Sequence, residues 1–396
     1  MVDLTSKISG VEFKNPIIVG SATPTWDSKR IKRCITGGAA GAIAKSLFSN
    51  SAAIGRKYPR PRFKLFNYRE YPDYPKKLPD SFTLRSLEEC SSFGYEDYMR
   101  DVNDAKDLVK DDGIVIASLS GSTKEEWKTM CEMVNETKAD WVELNNSCPF
   151  AADMGIKIGA GAVDLTKEFV HACSNVLKKP FSVKLTPQTS DSIYLAKMVE
   201  AEGASAVNLS ARLSGIMLDI ETASPIGWGS IGGYGGPYLL GYGLKTVFQI
   251  AKEIRIPIIG GLGVWKWQDI VSYIMAGASI VQTVTGVMLK GFDITGKWVK
   301  CIEAWMDAKG YKNLGDIKGL ALENIKKTSE VEREYPGIQF AINRDLCNKC
   351  GVCKKSCMYE AISITKVGAV INDELCDRCG MCYEVCPERA VRINRT

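Results

Sequence analysis

The segments "IPIIGGLG" (Ile256–Gly263) and "SIVQTVTG" (Ser279–Gly286) decide the fold of this chain. Each is a short apolar run, rich in β-branched residues, that ends in small or polar residues. Continuous apolar runs of this length are typical of strands in a parallel sheet, buried on both faces by helices. The pair therefore predicts two neighbouring parallel strands with their carboxyl ends on the same side of the sheet.

Six earlier runs have the same character, and amphipathic helical stretches separate several of the eight. In one such stretch Trp127, Met130, Cys131 and Val134 fall at i, i+3, i+4 and i+7, on one helix face. Eight β/α units over some 300 residues predict an α/β fold, a (β/α)8 TIM barrel. The six runs are "PIIVGSA" (16–22), "GAIAKS" (41–46), "GIVIASLS" (113–120), "WVELNNS" (141–147), "FSVKLTP" (181–187) and "AVNLSA" (206–211).

A doubly wound sheet is the alternative architecture for this pattern. It is disfavoured because no predicted strand leads into G-x-G-x-x-G with an acidic residue about twenty positions later.

The carboxyl ends of the predicted strands carry polar and small residues, and TIM barrels place their active sites at these ends. Two lysines, two asparagines and a glycine pair there are unusual for core packing. The strand-end residues are Ser21, Ala22, Lys45, Ser46, Asn145, Cys148, Lys184, Thr186, Asn208, Ser210, Gly260, Gly261, Thr283 and Thr285.

The last two strand ends, "IIGGLGV" and "VQTVTG", resemble the phosphate clamp that TIM barrels build after their seventh and eighth strands. Backbone N–H groups near Gly261–Leu262 and Val284–Thr285 would hold a phosphate monoester. Glycine pairs are also common in ordinary turns, so the sequence leaves both interpretations open.

The cysteines are clustered: eight of the fourteen lie between Cys347 and Cys386. They form two C-x2-C-x2-C-x3-C runs, the ligand pattern of a two-cluster bacterial ferredoxin in which the fourth cysteine of each run serves the other cluster. Structural zinc is the alternative. The predicted cluster sets are Cys347, Cys350, Cys353 and Cys386, and Cys376, Cys379, Cys382 and Cys357.

These patterns divide the chain into a barrel over residues 1–312, a polar linker over 313–337, and a small α+β ferredoxin domain over 338–396. Each cysteine run is followed by a short apolar segment, "AISI" and then "AVRI". The N-terminus lacks a secretory signal and no apolar run reaches transmembrane length, so we expect a cytoplasmic protein without a membrane partner.

The net charge of +5 is too small to indicate a nucleic-acid partner. Residues 54–77 combine basic and aromatic residues, which fits a solvated face, a nucleic-acid surface or a lid that holds an anionic substrate. We favour the lid, with Arg56, Arg60 and Arg62 as candidates. The single histidine, His171, lies within a helical stretch and is expected to be structural.

Six motifs resemble the FMN barrel of dihydroorotate and dihydropyrimidine dehydrogenases, and the appended ferredoxin module makes the pyrimidine-reducing branch the closer relative. The likeness covers residues 1 to about 290 and 338–396, and it is weakest over 50–112. The motifs are "AKSLF" (44–48), "VELNNSCP" (142–149), "FSVKLTP" (181–187), "GGYGGP" (232–237), "IIGGLGV" (258–264) and "GASIVQTVTG" (277–286).

The resemblance implies FMN and two [4Fe–4S] clusters as cofactors. Lys184 would lie at the flavin N1–C2 edge, where a cation stabilises the anionic reduced flavin, and Lys45 at the other edge. Asn145 would contact flavin or substrate, and Asn208, or alternatively Ser210, would face substrate. The remaining cofactor contacts would be Ser21, Ala22, Ser46, Gly235, Gly236, Gly260, Gly261, Val284 and Thr285. Lysines at strand ends can instead extend to the surface.

The loop after "SCP" departs from the family pattern. In the family this loop carries the proton-transferring residue, usually Cys or Ser, but here Phe150 follows the proline and Ile158 occupies the catalytic position. Candidate proton donors are Lys157, Asp153, Cys148, Tyr234 and Tyr238, each of which also fits an ordinary surface or packing role.

Two functions follow from this sequence. The first is an FMN- and iron–sulfur-dependent oxidoreductase that acts on a C=C bond of a small pyrimidine-like or other anionic unsaturated carbonyl. The second is an electron-transfer subunit of a larger complex, without a small-molecule substrate of its own. Either would exchange electrons with a ferredoxin or an NAD(P)H-oxidising flavoprotein subunit, and the resemblance implies a homodimer.

Overall fold

The computed structural model describes residues 2–48, 62–66, 80–88, 90–147, 163–226, 231–331 and 338–395. The chain divides into two compact units, Met1–Ile325 and Lys326–Thr396. Each unit has a fold of its own, and the larger one contains the barrel.

The larger unit is built on eight parallel strands that close into a barrel, because the second strand pairs with both the first and the third. This confirms the TIM barrel and excludes the doubly wound sheet. The barrel strands are Ile17–Val19, Gly41–Ile43, Ile114–Ser120, Trp141–Asn145, Phe181–Lys184, Ala206–Asn208, Ile258–Gly261 and Ile280–Thr283. A short segment, Leu47–Phe48, extends the pairing along the third strand.

Helices cover the outside of the barrel, and their apolar faces pack against the outward side chains of the strands. The predicted helix face is confirmed: Trp127, Met130, Cys131 and Val134 are buried in α3. The helices are α1 (Ser28–Thr36), α2 (Tyr95–Val109), α3 (Lys124–Asn135), α4 (Val163–Ser174), α5 (Ser192–Ala201), α6 (Leu240–Ala251), α7 (Trp267–Met275), α8 (Thr285–Lys290) and α9 (Ile294–Lys309). Short 3-10 helices occupy Thr23–Thr25, Lys110–Asp112, Pro237–Leu239 and Leu314–Asp316.

The interior of the barrel is layered, as the two-residue period of its strands requires. An antiparallel hairpin, Ser6–Ile8 with Val11–Phe13, contributes Ile8 and Phe13 to the interior cluster. An apolar layer forms the body of this cluster: Ile18, Ile43, Ile116, Trp141, Ala206, Ile259 and Ile280.

Two residues further along the strands the interior becomes polar. Ser118, Glu143, Asn208 and Gln282 are at most 5% exposed and take the places that isoleucine, tryptophan and alanine hold below. The described polar groups of the barrel interior are therefore concentrated towards its carboxyl end, where an active site is expected. In the apolar layer, the Trp141 indole N–H donates to Ser182 Oγ over 3.1 Å.

A four-stranded antiparallel sheet forms one wall beside the barrel mouth. Its order is Leu213–Gly215, Gly232–Gly235, Thr83–Ser86 and Phe63–Phe66. Gly236 follows with φ +119°, and a Cβ there would lie 2.5 Å from the Phe82 carbonyl oxygen, so the close approach requires glycine. A separate two-stranded ribbon pairs Leu218–Asp219 with Ser224–Pro225.

The predicted linker begins later than residue 313, because residues 313–325 belong to the larger unit. Ile317 is fully buried, and the N–H groups of Gly319 and Ala321 donate to carbonyls at the end of α7. A polar composition concealed these contacts, since they use only the two buried side chains of Leu314 and Ile317 together with backbone groups.

The smaller unit has two antiparallel pairs of strands and two one-turn helices. The strands Ile338–Ile342 and Val391–Arg395 pair, as do Ile362–Thr365 and Gly368–Ile371. Helices α10 (Val352–Lys355) and α11 (Met381–Glu384) each follow a glycine in the left-handed conformation. The apolar segments "AISI" and "AVRI" contribute to strands, and a 3-10 helix spans Thr328–Glu330.

Across the described part of the chain, no helix has the length and apolar character needed to cross a membrane.

Candidate functional site

An open cavity lies at the carboxyl ends of the barrel strands and, with its mouth, encloses about 1000 Å³. Barrel strand ends form its floor, and residues of the four-stranded sheet, including Leu84 and Gly235, form a wall. This position and size are those of a small-molecule or cofactor site in a TIM barrel.

Most of the predicted site residues line this cavity. Those on its surface are Ser21, Ala22, Lys45, Ser46, Asn145, Lys184, Gly235, Gly236, Val284 and Thr285, together with the alternative residue Ser210. Asn208, Gly260 and Gly261 lie below the surface, and the neighbouring residues Leu262, Gly263 and Val264 line it instead.

One end of the cavity is shaped by Leu262 and Gly263, which follow the seventh strand with φ +80° and +78°. A Cβ at Gly263 would lie 2.4 Å from the backbone nitrogen of Leu240, so glycine is required at this turn. Successive backbone N–H groups of a turn can form a concave nest that suits anions, and this turn lines the cavity with Leu262, Gly263 and Val264. A non-glycine residue in this conformation is strained, and such strain concentrates at functional sites.

The same end receives the start of the short helix α8, with Val284 as its N-cap. N–H groups of a first helical turn lack acceptors within the helix. Together with the nest, they form the arrangement that TIM barrels use for phosphate.

The opposite side of the mouth holds an ordered group of hydroxyl and amide side chains. Asn145 Nδ2 donates to Ser46 Oγ over 2.9 Å, and Ser147 Oγ donates to Asn145 Oδ1 over 2.8 Å. Ser46 Oγ in turn lies 2.8 Å from Ser118 Oγ. Since an amide nitrogen has two N–H donors, Asn145 is held rigidly with one donor left for a ligand in the cavity.

Beneath this group Glu143 is completely buried on the fourth strand. Its carboxyl oxygens accept from Ser118 Oγ (3.0 Å) and Asn208 Nδ2 (2.6 Å). Asn208 Oδ1 accepts from Ser210, over 2.5 Å from the hydroxyl. Side chains alternate along the strand, and the Asn208 amide therefore points into the barrel interior. Asn208 holds Ser210 in place, and Ser210 lines the cavity.

Lys184 lines the cavity and is only 8% exposed, and its side chain has neither a hydrogen-bond nor an ion-pair partner among the described residues. Thr283 is also a residue of the lining, and its buried hydroxyl has no partner in the described part of the chain. Because charged groups in a largely buried position are normally paired, the Lys184 side chain indicates a ligand that supplies acceptors. It fits the negative edge of a bound flavin.

The cavity residues that were not identified from the sequence include Ser86, Glu88, Cys90 and Arg212. Ser86, Glu88 and Cys90 lie within residues 50–112, where the resemblance to the family is weakest. Arg212 lies beyond the end of the sixth strand. No strand pattern in the sequence therefore identified these residues as part of the site. Arg212 Nη1 donates to Ser86 Oγ.

The charges around Glu88 determine its ionisation. Burial raises the pKa of Glu88, but the charges of Lys45 and Arg212 and hydrogen bonds from Thr23 outweigh burial and hold the pKa below its ordinary value of 4.5. The Thr23 backbone N–H donates to Glu88 Oε1 over 2.8 Å. Glu88 is therefore a hydrogen-bond acceptor on the cavity wall at neutral pH, not an acid.

Of the five proton donors predicted from the sequence, Tyr234 and Tyr238 lie among the described residues. Cys148, Asp153 and Lys157, with Phe150 and Ile158, lie outside the described residues, as do Arg56 and Arg60. Tyr234 lies away from the cavity lining and stacks on Phe66 with ring centroids 6.2 Å apart. Tyr238 is 52% exposed and lies outside the lining.

His171 and Arg62, which the sequence analysis also considered, do not line the cavity. His171 Nδ1 lies 2.8 Å from Glu202 Oε2 on the helical surface, which fits the expected structural role. The Arg62 guanidinium lies over the rings of Trp26 and Phe63 and outside the cavity lining.

In the smaller unit two cavities of about 340 Å³ each contain one set of four cysteines. One is lined by Cys347, Cys350, Cys353 and Cys386. The other is lined by Cys357, Cys376, Cys379 and Cys382. The fourth cysteine of each run thus lies in the cavity of the other run, which is the crossed arrangement predicted from the spacing.

No three His, Cys, Asp or Glu side chains of the described residues lie close enough together to hold one metal ion. The backbone N–H groups of Ala369 and Ala390 donate to Cys347 Sγ (3.4 Å) and Cys386 Sγ (3.2 Å). Such bonds tune the potential of a bound cluster.

Comparisons with known proteins agree with both units. The family model described as dihydroorotate dehydrogenase matches residues 76–306, and one described as a 4Fe-4S dicluster domain matches residues 340–388.

Among curated proteins, the chain is similar to the catalytic subunit of dihydroorotate dehydrogenase B (NAD(+)) from several archaea. The protein from Pyrococcus horikoshii is 32% identical over 320 residues, 81% of this chain and 98% of that protein. The one from Methanothermobacter thermautotrophicus is 30% identical over 322 residues, 80% of this chain and 98% of that protein. About a fifth of this chain therefore lies outside each match.

Glu88→Gln should destabilise the larger unit at neutral pH, by about 1–3 kcal/mol, because a buried charge-assisted contact is lost. Because the pKa of Glu88 is lowered in the folded state, its carboxylate contributes fully to the free energy of unfolding above about pH 4.5. This contribution disappears as the pH falls through the folded-state pKa. The difference between variant and wild type should therefore shrink below that pH.

Urea unfolding followed by tryptophan fluorescence measures this, because all eight tryptophans lie within the larger unit. Glu132→Gln, at an exposed position on α3, is the matched control and should change stability little at any pH. Equal stability of Glu88→Gln and wild type at neutral pH would contradict the role given to Glu88.

Proposed function

The chain belongs to the dihydroorotate dehydrogenase family, and from that premise we propose that it is an FMN- and iron–sulfur-dependent oxidoreductase that acts on a C=C bond conjugated to a carbonyl. The observation that carries the proposal is the largely buried Lys184 side chain, which has no partner among the described residues and lines a cavity with a left-handed turn at one end.

The cavity residues fit FMN. The nest at Leu262–Gly263 and the start of α8 would take the phosphate, and Gly235 leaves room beside it, since a Cβ there would meet its nearest atoms only at 3.9 Å. Bound FMN would supply hydride transfer and accept electrons singly or in pairs. Lys184 would stabilise negative charge on the flavin, and the spare N–H of Asn145 would orient flavin or substrate.

The crossed cysteine sets of the smaller unit would hold two [4Fe–4S] clusters, which transfer electrons one at a time. We expect the reducing equivalents to reach them from a ferredoxin or from an NAD(P)H-oxidising flavoprotein subunit. Similar proteins are named as catalytic subunits, which fits a separate electron-transfer partner. We also propose that the protein is a homodimer, as the resemblance to the family implies.

The charges on the cavity wall favour an anionic substrate. Lys45, Lys184 and Arg212 contribute three cations, and Glu88 is the only carboxylate among the described lining residues. A pyrimidine-like ring with a carboxylate, or another unsaturated acid, would satisfy both the cations and the acceptor at Glu88.

A second candidate function is electron transfer without a small-molecule substrate. It is favoured by Phe150 and Ile158, which replace the usual substrate-contacting and proton-transferring residues of the family. Under this alternative the flavin would pass electrons only to a protein partner.

The test is anaerobic purification followed by a reoxidation screen. The protein should carry about one FMN and about eight iron atoms per chain, and the reduced flavin should be reoxidised by at least one compound among pyrimidines, orotate-like acids and enoates. Zinc in place of iron, or protein without flavin, would overturn the proposal. Cofactors in full with no reoxidation by any compound would select the electron-transfer alternative.

Paired cysteine variants test the crossed cluster sets. Cys347→Ala/Cys386→Ala removes two ligands from one cavity and should leave about four iron atoms per chain, while Cys347→Ala/Cys376→Ala removes one ligand from each cavity and should lower both clusters. Anaerobic iron analysis with electron paramagnetic resonance distinguishes the two patterns. If Cys347→Ala/Cys357→Ala, rather than Cys347→Ala/Cys386→Ala, spared one cluster, the crossed arrangement would be wrong.

A further inference from the structure

Cys90 lies on the wall of the barrel cavity, in a segment to which the sequence motifs assign no role. It is partly exposed, in contrast to Cys34, Cys131 and Cys173, which are buried in the larger unit. Its thiol is therefore accessible from the space that a substrate would occupy.

Two anchors hold Cys90 in place. On one side Glu88 accepts hydrogen bonds from Thr23. On the other side the N–H of Ser91, which is 3% exposed, donates to the Ser46 carbonyl over 2.7 Å. Because Ser46 Oγ also receives the amide of Asn145, Cys90 belongs to the same side of the mouth as Asn145.

Independent observations show that this cavity is built for a ligand. Lys184 is nine-tenths buried and lines the cavity without a partner among the described residues. Thr283 is another residue of this lining, and its buried hydroxyl lacks a partner in the described chain. A thiol on this wall thus faces a ligand site and not an empty surface.

The other titratable groups on the described lining are poor proton donors to a carbon atom. The Arg212 guanidinium does not deprotonate in proteins, and nearby cations keep Glu88 ionised. Lys184 is assigned to the negative edge of the flavin, and Lys45 is a charge neighbour of Glu88. Cys90 is the remaining titratable group on this described lining, and cysteine is among the side chains that serve as general acids and bases.

We propose that Cys90 is the catalytic acid and base of this barrel, in place of the cysteine that the family carries in the loop after the fourth strand. This inference rests on the proposed oxidoreductase function. It explains how the chain can have Ile158 at the family's catalytic position and still perform the chemistry.

In the direction of C=C reduction, the S–H bond of Cys90 breaks and its proton bonds to the substrate carbon next to the carbonyl. The neighbouring carbon receives a hydride, with both electrons, from the reduced cofactor. The Cys90 thiolate then takes a proton from water, so protons and electrons balance. In the reverse direction the thiolate removes that same proton.

The first test is alkylation of the FMN- and cluster-loaded protein with iodoacetamide, followed by peptide mass spectrometry and the visible spectrum. Cys90 should be alkylated, and its alkylation should shift the flavin absorbance because the thiol touches the flavin or its substrate space. The exposed Cys301 on α9 is the matched control, since its alkylation should leave the spectrum unchanged. Cys90→Ser should abolish the spectral shift and Cys301→Ser should retain it.

The second test separates the two half-reactions by rapid mixing. In Cys90→Ala, flavin reduction through the clusters and reoxidation by ferricyanide should match wild type, because neither transfers a proton to carbon. Reoxidation by the active unsaturated acceptor should slow by about 10²–10⁴-fold, with Cys90→Ser intermediate.

The outcomes separate failure of this inference from failure of the proposed function. Cys90 left unmodified while Cys301 reacts, or modified without any spectral shift, would overturn the role of Cys90. Unchanged substrate reoxidation in Cys90→Ala would do the same. A preparation without flavin, or one that ferricyanide reoxidises but no unsaturated compound does, would instead contradict the proposed function, and the alkylation result would still decide the position of Cys90.

Discussion

The cationic side chain of Lys184, which is largely buried and lines the cavity, is the constraint on which the site depends. A closed parallel barrel uses its backbone N–H and C=O groups in strand pairing, so any charge inside it must be satisfied by side chains or by a ligand. Glu143 is satisfied by Ser118 and Asn208, one layer below. Lys184 has no such partner among the described residues, so the fold carries a positive charge at the floor of its cavity for an incoming negative group.

The polar groups around Lys184 are suited to bind the same negatively charged ligand. The left-handed turn at Leu262–Gly263 and the start of α8 provide backbone donors at one end of the cavity. The Ser46–Asn145 pair gives rigid polar contacts at the other. In the proposed function, FMN between these ends would carry out the two-electron chemistry. The two cavities of the smaller unit, each lined by four cysteines, would hold the clusters that supply single electrons.

The sequence predicted the architecture because continuous apolar runs and helix periodicity are strong local signals. All eight barrel strands and the crossed cysteine sets were found in this way. Its errors have physical causes. Two-residue alternation turns Asn208 into the barrel interior, and the turn after the seventh strand exposes Leu262 and Gly263 in place of Gly260 and Gly261.

The residues that sequence reasoning missed share a different cause. Glu88, Cys90 and Arg212 reach the cavity from segments beyond the strand ends, and long-range contacts fix their positions. The hydrogen bond from Ser91 to Ser46 joins positions 45 residues apart, which no local periodicity reveals. In a TIM barrel such segments supply much of the substrate specificity, while the strands form the scaffold.

The central claim is that Lys184 stabilises the negative charge of reduced flavin in this cavity. The most direct measurement is an anaerobic spectroelectrochemical titration of bound FMN in wild type and in Lys184→Met, with Lys300→Ala at an exposed position of α9 as the control. The two-electron potential of Lys184→Met should fall by about 30 mV for each 1.4 kcal/mol of stabilisation lost, and that of Lys300→Ala should stay at the wild-type value. An unchanged flavin potential in Lys184→Met would contradict the account.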